Sequence, residues 1–82
     1  MFYYTYVLSS LKTNQLYIGW TTNFTNPSKN HNQGLVKATK SGIPWKLIYY
    51  EACLNKQDAI KREKQLKTGF GRAYLKRRLS DY

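Results

Sequence analysis

Two tyrosine-bearing triplets near the N-terminus constrain the fold of this chain most. Tyr4-Thr5-Tyr6 and Tyr17-Ile18-Gly19 each lie in a run of β-forming residues, and a polar segment separates the two runs. This pattern predicts a hairpin of two strands, over residues 3–9 and 16–21. If Tyr6 pairs with Gly19, side-chain alternation places four residues on one face: Tyr6, Leu8, Tyr17 and Gly19. Two phenols beside a bare backbone suit a site that handles phosphate and water, and they equally suit an ordinary aromatic sheet.

The rest of the chain predicts one more strand and three helices. A short helix over residues 27–33 has Asn26 as its N-cap, Pro27 in its first position and Gly34 as its terminator. A third strand covers residues 45–52, a second helix over residues 56–67 is closed by Gly69, and a last helix covers residues 71–79. The expected fold is a single α/β (α+β) domain over residues 1–82, with a three-stranded antiparallel sheet flanked by about three helices.

The charge balance predicts a polyanionic partner. Fourteen Lys and Arg oppose four Asp and Glu, which gives a net charge of +10. Such an excess is usually retained because nucleic acid is the partner, with an anionic membrane surface as the second alternative. No apolar run is long enough to span a bilayer, and the N-terminus does not have the pattern of a signal peptide. We therefore expect nucleic acid as the partner, no membrane association and a cytoplasmic location.

One acidic residue lies on the predicted buried face of the second helix. Ala59, Ile60 and Leu66 define that face, and Glu63 lies on it, four residues after Ala59 and three before Leu66. An unpaired carboxylate in such a place is costly, so it must pair with a cation or hold a metal ion. The sequence leaves both alternatives open. A structural zinc site and an internal disulfide are excluded, because the chain has one Cys and one His.

Five segments in order resemble the motifs of the GIY-YIG nuclease family, in particular its small stand-alone bacterial members. They are the two tyrosine triplets and residues 31–34, 40–51 and 59–67. The resemblance covers nearly the whole chain. It implies an endonuclease that hydrolyses phosphodiester bonds, most simply in DNA, with one Mg²⁺ or Mn²⁺ ion held by Glu63.

The same resemblance implies roles for further residues. Tyr17 would act as the general base or position the attacking water, Tyr6 would orient water or phosphate, and His31 would assist proton transfer. Without the resemblance, His31 is more simply a helix-end histidine that interacts with exposed carbonyl groups. The residues expected to contact the substrate are Gly19, Lys37, Lys40, Arg62, Lys67 and Arg72.

Two positions depart from the family pattern. The family has an arginine four residues before the histidine, where this chain has Pro27, and no arginine precedes Arg62. Loss of a preorganised donor from such a site typically costs ~10²–10³-fold in rate. An asparagine frequent in the C-terminal segment of the family has no counterpart after Asn55. The sequence thus predicts a nuclease with impaired catalysis. We expect it to be a monomer or a weak homodimer. The alternatives are a weak or inactive nucleic-acid-binding domain and a protein-interaction module.

Overall fold

The fold is described by a computed structural model, which covers residues 1–22 and 26–79. Within these ranges the chain forms three strands, three α-helices and a 3₁₀ helix. In chain order they are β1 (Tyr3–Ser10), β2 (Leu16–Thr21), α1 (Ser28–Asn32), the 3₁₀ helix (Lys37–Gly42), β3 (Trp45–Cys53), α2 (Lys56–Leu66) and α3 (Gly69–Arg78). The α+β class is therefore confirmed. Residues 23–25, between β2 and α1, lie outside the described residues.

The sheet is antiparallel with β1 in its centre, in the order β2-β1-β3. Tyr6 pairs with Gly19 and Leu8 with Tyr17, so the predicted register of the hairpin is confirmed. On the other side of β1, the pairing with β3 shifts between Val7 and Leu8 because of a bulge. The hairpin therefore places Tyr6 and Tyr17 on the same face of the sheet.

Each face of the sheet carries its own apolar cluster. Val7 and Ile18 pack against Leu66 of α2 and Leu75 of α3 on one face. On the opposite face, Tyr6 and Leu8 form a second cluster with Trp45, and α1 and the 3₁₀ helix lie over it. None of the described helices is long and apolar enough to cross a bilayer.

Helix α1 begins and ends close to the predicted positions. Pro27 has helical dihedral angles (φ −65°, ψ −19°), and the Asn26 side chain accepts a hydrogen bond from the Ser28 amide at 3.0 Å. Asn26 thus satisfies the first free amide of the helix, as an N-cap does. Gly34 follows with φ +75°, in the left-handed region that ends many helices.

The corner between α2 and α3 differs from the prediction. Gly69 does not close α2, which ends at Leu66; it is the first residue of α3. Thr68 is the N-cap of α3, and its Oγ1 accepts a hydrogen bond from the Gly71 amide at 3.2 Å. Gly71 lies against the backbone of Leu66, where a Cβ atom would have no space. This close approach lets α3 start two residues earlier than predicted and fold back tightly on α2.

Candidate active site

A pocket of about 170 Å³ lies among β1, β2 and α1. Tyr6 and His31 line it from the sheet and from α1, respectively, and Pro27 lines it at the start of α1. The other lining residues are Trp20, Thr21, Asn26, Asn30 and Val36. The pocket thus opens beside the first tyrosine triplet and the histidine that the sequence singled out.

The His31 imidazole links the sheet to the 3₁₀ helix. Its Nε2 lies 3.1 Å from Tyr6 Oη, and its Nδ1 lies 2.7 Å from Thr39 Oγ1. The Thr39 hydroxyl donates a hydrogen bond to the Val36 carbonyl at 3.3 Å, which leaves its oxygen to accept one from His31 Nδ1–H. His31 Nε2 can then accept a hydrogen bond from the Tyr6 phenol. The neutral tautomer with its proton on Nδ1 is therefore the one that satisfies all three hydrogen bonds.

Burial favours the same neutral state. His31 is only 3% exposed, and its burial lowers the pKa of the imidazole below its usual 6.5. The side chain points towards the sheet and not towards the exposed carbonyl groups at the end of α1. At neutral pH it is a fixed hydrogen-bond acceptor for Tyr6.

The phenol of Tyr6 is correspondingly hard to ionise. Burial, with smaller contributions from the nearby Tyr17 and Glu63 side chains, raises its pKa to about 12, because a negative charge there would be poorly solvated and close to other acidic groups. Tyr6 is 7% exposed and stays protonated across the physiological range. Glu63 does not line this pocket, and α2 packs on the other face of the sheet; the negative charge of Glu63 contributes only to the raised pKa of Tyr6.

Tyr17 and Gly19 complete the cluster on β2. The Tyr17 ring centroid lies 4.8 Å from that of His31 and 6.4 Å from that of Tyr6. A Cβ atom on Gly19 would lie 2.7 Å from Tyr6 Oη and 3.2 Å from Tyr17 Cε1. The space that Gly19 leaves open is therefore filled by the two phenols of the protein itself.

Glu63 is paired with a lysine one helical turn away. Lys67 Nζ lies 3.2 Å from Glu63 Oε1, and the Glu63 side chain is 17% exposed while that of Lys67 is 54% exposed. Pairs of this kind contribute only about 0.3–0.5 kcal/mol, so a stronger ligand can replace the lysine. The described residues include no group of three His, Cys, Asp or Glu that could hold a metal. A single carboxylate still fits Mg²⁺, which uses one or two carboxylates together with water and phosphate oxygens.

The predicted substrate-binding cations lie in different parts of the fold. Lys37 and Lys40 are exposed on the 3₁₀ helix, on either side of Thr39, and Lys67 and Arg72 are exposed near the α2–α3 corner. Arg62 is different, because its guanidinium binds the Glu51 carboxylate through two nitrogens at 2.8 Å. It also lies 4.7 Å from the centre of the Tyr74 ring. The structure therefore does not bring Arg62 to the pocket.

Two residues near the histidine escaped the sequence analysis: Thr39 contacts the imidazole, and Asn32 joins α1 to Trp45 of β3. Thr39 is 1% exposed. Its side-chain oxygen is hydrogen-bonded to His31 Nδ1, and its backbone carbonyl accepts a hydrogen bond from the Trp45 indole N–H at 2.7 Å. Asn32 bonds to both the amide and the carbonyl of Trp45, at 2.5 and 2.9 Å. The one available signal was Trp45 itself, since a buried indole N–H requires an acceptor. Nothing in the sequence identified Thr39 as that acceptor.

A family model described as the GIY-YIG catalytic domain matches residues 2–78. The chain belongs to the GIY-YIG family. It is 42% identical over 65 residues to a UPF0213 protein of Clostridium perfringens, which covers 78% of this chain and 69% of the relative. A UPF0213 protein of Staphylococcus haemolyticus is 39% identical over 67 residues, 80% of each chain. Another, of Pediococcus pentosaceus, is 42% identical over 66 residues, 79% of this chain and 68% of the relative. No solved structure matches.

Membership confirms the resemblance to small stand-alone bacterial GIY-YIG proteins that the sequence indicated. It gives the chain a nuclease-type domain and implies interaction with nucleic acid. The position of the family arginine is occupied by Pro27, which lines the pocket. Among the described residues around the pocket there is no Lys or Arg.

Proposed function

We propose that this GIY-YIG protein is a divalent-metal-dependent DNA endonuclease that hydrolyses phosphodiester bonds slowly. One observation carries the proposal: the hydrogen-bond chain from Tyr6 through His31 to Thr39, with Tyr17 packed on the imidazole. Such a chain holds two phenols in a fixed arrangement beside a pocket that can admit a phosphate group. Preorganised groups of this kind are what phosphoryl transfer requires.

The two tyrosines differ in what they can do. Tyr6 donates a hydrogen bond to His31, and its raised pKa keeps it protonated at neutral pH, so it does not act as a base there. Its oxygen can accept a hydrogen bond from the attacking water and thereby orient it. Tyr17 is only partly buried, and we assign to it the positioning of that water; to accept the proton of the water it would first release its own phenolic proton to solvent. His31 then acts by holding Tyr6 and by lying against the Tyr17 ring.

Glu63 would hold the Mg²⁺ or Mn²⁺ ion, as the single carboxylate of the site. When bound, that ion would neutralise charge that develops on the scissile phosphate. Lys67 would leave Glu63 as the cation takes its place and would be free to contact a substrate phosphate. The exposed Lys37, Lys40 and Arg72 would bind further phosphates, and Gly19 acts by admitting the two phenols. We place this activity in the cytoplasm, in a monomer or weak homodimer.

A second candidate function is a domain that binds nucleic acid without cutting it. The observation that favours it is Pro27, which stands in the pocket where the family has an arginine. Proline provides neither charge nor an amide proton to a phosphate. The electrostatic stabilisation lost in this way is worth ~10²–10³-fold in rate for a single donor.

A cleavage assay with matched variants separates the two functions. Purified chain is incubated with Mg²⁺ or Mn²⁺ and with duplex, single-stranded and branched DNA, beside Pro27→Arg, Glu63→Gln and Asp58→Asn. We expect slow cleavage that Pro27→Arg accelerates and Glu63→Gln abolishes, with DNA affinity almost unchanged in both. Asp58→Asn is the control, because Asp58 is an exposed acid in the first turn of the same helix.

Two results would contradict different parts of the proposal. Cleavage that persists in Glu63→Gln at the original rate would remove Glu63 from the site. Binding without cleavage, by the chain and by Pro27→Arg alike, would leave the non-cutting domain as the function.

A further inference from the structure

Phe70 is the most exposed large hydrophobic residue in the described part of the chain. Its side chain is 91% exposed, in the first turn of α3. Glycines flank it on both sides, and a Cβ atom on Gly69 would meet no atom within 4 Å. A phenyl ring therefore stands in open space, with no neighbouring side chain to limit approach to it.

The corner that carries Phe70 is rigid. Thr68 Oγ1 donates to the Gln65 carbonyl at 2.6 Å and accepts from the Gly71 amide at 3.2 Å. Gly71 packs directly on the backbone of Leu66, which is completely buried. Because the backbone is held on both sides of the ring, a partner would not have to order it, and binding would cost less entropy.

The charge around the ring indicates the chemistry of that partner. The segment from residue 64 to residue 79 contains six cationic residues and no acid: Lys64, Lys67, Arg72, Lys76, Arg77 and Arg78. A protein partner would normally require a larger contiguous apolar patch than one ring. A single aromatic ring among cations suits a nucleic acid, where the base stacks on the ring and the phosphates bind the cations.

We propose that Phe70 stacks on a DNA base that lies outside continuous duplex, at a bulge, a nick or a branch. Inside a duplex the faces of a base are covered, and inserting a ring between them requires unstacking. An unpaired base presents its face freely. Lys67, which pairs with Glu63, lies three residues before Phe70 in the chain. The inference rests on the proposed function and specifies its substrate class as interrupted duplex DNA.

The test is a comparison of binding to two probes in the presence of EDTA, so that it does not depend on cleavage. One probe is a continuous duplex, and the other is the same duplex with a single unpaired base. We expect the chain to bind the bulged probe with roughly tenfold higher affinity, because stacking of one base on an aromatic ring contributes about that much. Phe70→Ala should lose this preference and keep its affinity for the continuous duplex, whereas Phe70→Trp should retain the preference.

Leu54→Ala is the matched control. Leu54 is 74% exposed and lies just before α2, at the opposite end of that helix from Phe70. It should leave both affinities unchanged. Sedimentation of Phe70→Ala, compared with the unaltered chain, reports any self-association through the ring.

Several outcomes would overturn the stacking proposal. They are an unaltered chain with equal affinity for both probes, a Phe70→Ala variant that keeps the preference, and a loss of equal size on both probes. A change in sedimentation with unchanged DNA binding would assign the ring to contact between copies of the chain. A chain that binds neither probe would contradict the proposed DNA function itself, which distinguishes the two failures.

Discussion

Replacing Gly19 by alanine should disturb the centre of the candidate site by a single methyl group. The added Cβ atom would lie 2.7 Å from Tyr6 Oη and 2.8 Å from Tyr6 Cζ. Tyr6 cannot yield easily, because it is 7% exposed and bound to His31. Relief of the overlap therefore moves the phenol away from the imidazole or bends β2.

The magnitude follows from opposing contributions. Overpacking of a well-filled core costs about 1–3 kcal/mol, and alanine in a strand recovers about 0.5–1 kcal/mol relative to glycine. From the middle of each range, we expect the free energy of unfolding to fall by about 1 kcal/mol. For a domain of this size that corresponds to a fall in Tm of roughly 4–8 °C.

Thermal unfolding followed by circular dichroism measures this change. Gly69→Ala is the control, because its methyl group would meet no atom within 4 Å. The double variant Tyr6→Phe with Gly19→Ala removes the closest contact, so its loss should be smaller than the sum of the two single losses. A Gly19→Ala protein as stable as the unaltered chain, or additive losses in the double variant, would refute the steric argument.

Two pH-linked predictions concern buried titratable groups. Burial alone would raise the pKa of the Glu51 carboxyl, but the hydrogen bonds from Arg62 and Tyr49 outweigh it and hold that pKa below 4.5. The stability from this carboxylate is thus present above pH 4.5 and lost as the pH falls through the lowered pKa. Glu51→Gln should lower the free energy of unfolding by about 1.5–3 kcal/mol at pH 7. Measured by urea unfolding, the stability of this variant should also depend less on pH below 4.5 than that of the unaltered chain. The lowered pKa of His31 means that its stability contribution is complete above pH 6.5 and is lost below it, as the unfolded chain takes up the proton first. Unfolding at pH 7.5 and 5.5 should show this loss, and a His31→Asn variant with the same loss would contradict it.

The strands and their register could be predicted because the signals are local. Alternating residues and a polar turn fix which residues of β1 and β2 face each other, and the pairing of Tyr6 with Gly19 follows from them. The start of α3 could not be predicted in this way. Gly69 is a reasonable terminator by its type, but the contact of Gly71 with Leu66 places the corner, and that contact depends on tertiary packing.

The candidate site was predictable only in part, for the same reason. The order of motifs places Tyr6, Tyr17 and His31 together, although their roles stay predictions. The partner of His31 Nδ1 is Thr39, in a segment where the sequence drew attention only to Lys37 and Lys40. Likewise, Glu51 pairs with Arg62, one of fourteen Lys and Arg, because α2 packs on the sheet. No local sequence pattern encodes that packing.

Residue 27 determines the charge at one side of the pocket but not the fold of the backbone around it. The backbone there has φ −65°, the value that a proline ring imposes, and the first position of a helix needs no amide donor. Proline is therefore compatible with the local fold, and Asn26 still caps the Ser28 amide. The hydrogen bonds from Tyr6 through His31 to Thr39 involve no atom of Pro27. An arginine at this position would consequently add a cation to a pocket already formed, so a change in cleavage rate would report charge and not a repaired helix.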